Sequence, residues 1–176
     1  MRITLTRQDV HKAETLGRDT VAICEKLMKF NPRLENDKQS REAANIAGFK
    51  AEIAIARLYE LDLPELNILS DGGLDLWIGD PRRKMYSIDA KWTSTQDLIF
   101  DCMEKFQADF AIGVTSIAED SMEVHGFVSR RRFEKKAVSK DYKYGPRLVM
   151  PLDDLSPPEL LWKFITSEKL NTREEA

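Results

Sequence analysis

Residues 74–93, LDLWIGDPRRKMYSIDAKWT, decide the fold. Leu74, Leu76 and Ile78 alternate with Asp75 and Trp77. After the turn signal GDPRRK the alternation resumes, with Tyr86, Ile88, Ala90 and Trp92 facing one way and Ser87, Asp89, Lys91 and Thr93 the other. A period of two marks an extended strand, and Pro81 suits the second position of a tight turn. The stretch therefore predicts a β-hairpin. Its oddity is charge, because each strand carries an acid in an apolar setting and the second adds a lysine on the same face. Leaving a buried charge uncompensated costs roughly several kcal/mol. These charges need one another, solvent or a metal.

Upstream, Arg41 to Leu61 reads as a helix that includes GFKAEIAIARLYEL. Lys50, Arg57 and Glu60 mark its wet side. Glu52 lies two residues from Lys50, about 200° around the helix, so it turns toward Phe49, Ile55 and Ala56. Residues 7 to 30 give a second amphipathic pattern, with Val10, Leu16, Val21, Ile23 and Leu27 apolar and Thr6 as cap. FNPRLENDKQS reads as the polar linker between these helices, and DLPELN as a turn. Downstream, TQDLIFDCMEKFQ reads as a helix, DFAIGVTSI and MEVHGFVS as strands, and RLVMPL as a short strand. Ser156-Pro-Pro opens a terminal helix through Phe164, before a frayed tail NTREEA. The order predicts a mixed α/β core with helical additions at both ends.

At 176 residues, 42% hydrophobic and 32% charged, the chain fits one globular domain. No apolar run approaches the ~20 residues that cross a bilayer, so no membrane partner is expected. MRITLTRQDV lacks the apolar centre of a signal peptide, which predicts an intracellular, cytoplasmic protein. Two cysteines and two histidines, widely separated, form no zinc spacing and argue against histidine-based nucleases and Ser-His-Asp hydrolases. Cys24, within VAICEKLM, reads as core. Any metal would be held by carboxylate oxygens, which favours magnesium or manganese.

The net charge of −3 conceals an asymmetry. Residues 130–147, RRRFEKKAVSKDYKYGPR, set eight Lys and Arg against Glu134 and Asp141, a local charge of +6. Phe133, Tyr142 and Tyr144 interleave the cations, as on surfaces that bind nucleic acid, although a solvated helical face explains the run equally. Arg130, Arg131, Arg132 and Lys135 are the candidate phosphate contacts. Trp77 and Trp92 read as core rather than as platforms for bases.

Three misplaced acids thus occur in order, Glu52, Asp75 and Asp89, with Lys91 beside the last. In a hairpin Asp75 falls near Asp89, and a divalent cation would remove the repulsion. Lysine beside it would orient a water and steady developing phosphate charge. An ion pair on a solvated strand face is the plainer alternative.

This set resembles the PD-(D/E)XK nuclease superfamily, which includes restriction endonucleases, Holliday-junction resolvases and phage recombination nucleases. The likeness rests on Glu52 in GFKAE, Asp75 in GGLDLWI, and Asp89 with Lys91 in YSIDAKW, and spans residues 48 to about 115. Leu74 stands where the motif's name has proline, and Asp89 where glutamate is commoner. The resemblance implies a restriction-endonuclease-like α/β fold, a mixed β-sheet flanked by helices. Residues 1–47 would form a helical N-terminal extension, 48–130 the catalytic core, and 131–176 a basic segment and C-terminal helix. It also implies a Mg2+- or Mn2+-dependent deoxyribonuclease that hydrolyses DNA phosphodiesters with a metal-activated water. Glu52, Asp75, Asp89 and the Ala90 carbonyl would hold the metal, and Lys91 would position the nucleophile. The alternatives are a homodimeric resolvase of branched DNA and a non-cleaving DNA-binding or scaffold protein. Phage encode members of this superfamily, so a phage source is a further expectation.

Overall fold

The computed structural model of the chain describes residues 1–26, 38–65, 74–80, 82, 84–142 and 145–163. Helix α1 (Arg7–Lys26) opens on a reciprocal cap. Thr6 Oγ1 accepts the Asp9 N–H at 3.2 Å, while Asp9 Oδ2 accepts the Thr6 N–H at 3.0 Å and the Thr6 hydroxyl at 2.8 Å. These bonds satisfy donors that a helix start leaves open. Helix α2 (Lys38–Tyr59) packs along α1. Gly17 permits the approach, since a Cβ there would stand 2.6 Å from Ile46 Cγ1 and 2.8 Å from the Ile46 nitrogen. Arg57 reaches back from α2 to Asp9 at 2.7 Å. Of the expected linker, Phe30 to Asp37 lies outside the described residues, and Lys38 to Ser40 already belong to α2.

In chain order the strands are β1 (Arg2–Thr4), β2 (Leu76–Asp80), β3 (Lys84–Trp92), β4 (Asp97–Phe100), β5 (Phe110–Ala118), β6 (Ser121–Ser129), β7 (Val138–Tyr142) and β8 (Gly145–Pro151). The expected hairpin forms, with Leu76 opposite Ile88 and Asp80 opposite Lys84. It joins a five-stranded sheet in the order β1-β6-β5-β3-β2, in which β3 and β5 run parallel and the other neighbours antiparallel. The Pro81 turn position lies outside the described residues.

Each face of this sheet meets its own core. Tyr86, Ile88, Ile112 and Val114 pack with Ala51, Ile53, Ala54 and Ile55 of α2. Ala111 and Val128 point the other way, into a cluster with Leu98, Phe100, Phe106, Phe133, Met150 and Leu152. Helices α1 and α2 thus cover one face. A three-stranded sheet, β4-β8-β7, and helix α3 (Arg130–Lys136) cover the other. The molecule is an α/β protein with a mixed sheet and flanking helices.

That second layer corrects the sequence reading. TQDLIFDCMEKFQ is not a helix: it forms β4 and then a 3-10 turn at Met103–Lys105. Leu98 and Phe100 are buried while Asp97 and Ile99 are half-buried, a period of two that pairing with β8 captures. β1 and β7 are additional strands. A last helical segment covers 158–163, and its expected continuation through Phe164 and the tail lie outside the described residues. Among the described residues no helix is long and apolar enough to cross a membrane.

Candidate active site

β3 runs between β2 and β5, and its two faces pack on α2 and on the second layer. Ile88 faces α2, while Asp89 aligns with Ala111 and so faces the second layer. Asp89 is fully buried at 0% exposure, which removes the solvated strand face as an explanation for it. Lys91, two residues on, shares that face. Its Nζ stands 2.7 Å from Asp89 Oδ1 and 5.0 Å from the Phe100 ring centre. The lysine side chain keeps 32% of its surface exposed. The carboxylate is sealed, and the lysine connects it to solvent.

Asp75 reaches the same place through a local irregularity. The β2–β3 ladder is regular as far as Leu76 opposite Ile88. The Asp75 N–H then donates to that same Ile88 carbonyl at 2.9 Å, and Asp75 Oδ2 accepts the Ala90 N–H at 2.7 Å. Two residues therefore oppose one, as in a β-bulge, and a side chain replaces the next rung of the ladder. Asp75 consequently brackets Asp89, bonded to the residue on either side of it. In an extended strand the N–H and C=O of one residue point to the same neighbour. The Ala90 carbonyl therefore faces the edge where β2 has ended, beside the Asp75 carboxylate.

Glu52 is placed differently. It is half-buried on α2, flanked by the fully buried Ala51 and Ile53. Arg57 on the same helix is exposed. But α2 packs on the Ile88 face of the sheet, opposite to Asp89 and Lys91. Among the described residues no group of three His, Cys, Asp or Glu is arranged to hold a metal ion. The structure gathers Asp75, Asp89 and Lys91 around Ala90, while α2, which carries Glu52, packs on the other face of the sheet. The oxygens there, two carboxylates and a peptide carbonyl, are the hard donors that suit magnesium or manganese.

The basic run divides. Arg132 is tied inward, its guanidinium donating to Ser156 Oγ and, at 2.6 Å, to the Asp154 carbonyl. Phe133 is wholly buried between Phe100 and Phe106, so it interleaves no surface cations. Lys140 pairs with Asp97 at 2.7 Å, and Arg147 lies 5.2 Å from the Tyr142 ring. Arg130, Arg131, Lys135 and Lys136 remain on the exposed side of α3. Tyr144 lies outside the described residues.

Trp77 also departs from expectation. It is not core but 50% exposed, on edge strand β2. The alternation already set it opposite Leu76 and Ile78; what the sequence lacked was the strand order that makes β2 an edge. Trp92 is half-buried against the α2-side core, with Nε1 donating to Ser116 Oγ at 2.9 Å.

Neither family models, curated proteins nor solved structures yield a match to this chain.

Proposed function

We propose that the chain is a Mg2+- or Mn2+-dependent deoxyribonuclease of the restriction-endonuclease-like fold, hydrolysing DNA phosphodiester bonds. One observation carries this reading: Asp75, just before β2, and Asp89 and Lys91 of β3 meet at the Ala90 peptide, where β2 ends. Asp75 fixes that peptide by accepting its N–H, and so aims the Ala90 carbonyl at the edge. Asp75, Asp89 and that carbonyl would hold the ion, with Glu52 at most an outer contributor from across the sheet. When bound, the ion would supply the positive charge that eases deprotonation of an attacking water and offsets charge on the phosphate. Lys91 presents an ammonium at the solvent side of the buried carboxylate, where it orients a water or meets a phosphate oxygen. Arg130, Arg131 and Lys135 on α3 would hold the DNA backbone.

A second reading follows from the same pair. A buried carboxylate bound to lysine under an aromatic ring is also how a strand can be locked to the layer above it. In a non-cleaving DNA-binding protein the pair would serve structure alone. Incubation with magnesium on supercoiled plasmid, linear duplex, single strands, flaps and four-way junctions, with a chelator control, separates the readings. The nuclease reading expects metal-dependent cleavage of at least one substrate, and a preference for the junction would identify the resolvase. Intact substrates throughout, despite binding, would establish the non-cleaving protein.

A further inference from the structure

We infer that Trp77 is a stacking platform for an unpaired base next to the phosphate that Lys91 meets at the solvent side of Asp89. This rests on the nuclease reading of that site and adds its substrate class: nucleic acid with an unstacked base at the point of attack.

The register sets the geometry. Trp77 is aligned with Ser87, so its side chain stands on the same sheet face as Ser87, Asp89 and Lys91. Asp89 lies two residues farther along β3, which puts the Trp77 and Asp89 Cα atoms on the order of 8 Å apart. A base and its neighbouring phosphate span a comparable distance. Half of Trp77 is exposed, although tryptophan is normally well covered in a folded protein.

The surroundings decide what Trp77 meets. The other large apolar residues exposed among those described are Met1, Ile117, Val138, Leu160 and Trp162, all on other elements. A protein partner needs a contiguous patch, and among the described residues no other exposed large apolar side chain lies on Trp77's strand. A single base needs only one ring face. The row that starts at Trp77 continues through Ser87 and Asp109 to Arg130. Ser87 donates its N–H to Asp109 Oδ2 at 2.9 Å, and the Arg130 N–H donates to the Asp109 carbonyl at 3.1 Å. Three strand spacings separate the indole from the Arg130 backbone, about 14 Å. The Asp109 carboxylate within this row also accepts the Ser87 hydroxyl at 3.0 Å. An exposed indole at one end and exposed arginines at the other form the aromatic-plus-cation pattern that holds single strands.

The test uses the full chain in chelator, so that binding is read without cleavage. Fluorescence anisotropy measures a labelled oligothymidine and a duplex of equal length on wild type, Trp77→Phe and Trp77→Ala; melting curves confirm that each variant folds. Trp77→Ala should bind the single strand roughly 5- to 100-fold more weakly. Trp77→Phe should stay within a few-fold of wild type, and duplex affinity should be unchanged in all three. Equal losses for both nucleic acids, no loss for either, or no binding at all by wild type would overturn the inference. So would dissociation of a dimer by Trp77→Ala in sedimentation, which would assign the indole to a contact between copies. Cleavage of the same oligonucleotides in magnesium is scored separately. Without it the nuclease reading fails, while the anisotropy still decides what Trp77 binds.

Discussion

Asp9 and Asp89 are both buried acids held by a cation, and they differ in what surrounds them. Asp9 is 2% exposed; burial opposes its charge, but hydrogen bonds from Arg57 and from the Thr6 N–H and hydroxyl outweigh that and hold its pKa below the usual carboxylate value. A depressed folded-state pKa gives stability that is present above the unfolded value and lost as pH falls through the folded one. Asp9→Asn should therefore lower the urea midpoint at pH 7, and the gap from wild type should narrow as the pH falls below the ordinary carboxylate range. A gap that does not narrow on acidification would show that the charge is not what matters. At Asp89, Lys91→Met leaves the buried carboxylate without its ammonium. After discounting for the lysine's solvent contact, the expected loss is about 2–3 kcal/mol in chelator. If the site takes a metal, magnesium should raise the melting point of Lys91→Met more than that of wild type, because the ion replaces the missing charge. Equal shifts would leave the pair purely structural. The Asp89–Lys91 pairing was legible in the sequence because strand alternation fixes which neighbours share a face. The sequence also set Asp89 in an apolar stretch, but it left a solvated face open, because what seals the carboxylate is a second sheet formed by distant residues.

Among the elements, the hairpin was readable and the second sheet was not, for physical reasons. β2 and β3 carry unbroken two-residue alternation. β4 is only four residues long, and apolar residues follow it at helix-like spacing. β7 is exposed at Val138 through Asp141, so it carries no inward apolar signal at all. Glu52 shows the same limit. Its helical position sets it apart from the wet side of α2, but which face of the sheet α2 covers is a property of topology. Glu52→Gln should accordingly weaken metal binding in calorimetric titration far less than Asp75→Asn does; equal losses would return Glu52 to the ion's side. The packing of α1 on α2 predicts a cost at Gly17. Gly17→Ala gains about 1 kcal/mol of helix propensity but forces Ile46 aside, an overpacking cost of about 1–3 kcal/mol. A denaturation midpoint above wild type would show that the helices separate freely. In α3, replacing Arg130, Arg131 and Lys135 together should flatten the log–log salt slope of DNA binding by about one unit for each phosphate no longer neutralised. Arg132→Ala should instead lower stability, because its guanidinium holds the Asp154–Ser156 segment. The reverse pattern would place the DNA against Arg132.

Over the whole molecule, two layers close on β3. The α2 layer supplies the packing that fixes the strand, and the β4-β8-β7 layer seals Asp89 while leaving Lys91 a route to solvent. Charge follows the same division, with the exposed cations of α3 on the layer that carries the acids' face. The central claim is that Asp75, Asp89 and Lys91 form a hydrolytic centre rather than a structural lock. The most direct measurement follows conversion of supercoiled plasmid to open circle in magnesium by wild type and Lys91→Ala, with DNA affinity of both measured in chelator. A hydrolytic centre gives nicking by wild type that the chelator stops, a loss of at least a hundredfold in Lys91→Ala, and affinities within a few-fold of each other. Nicking by Lys91→Ala at the wild-type rate would contradict it.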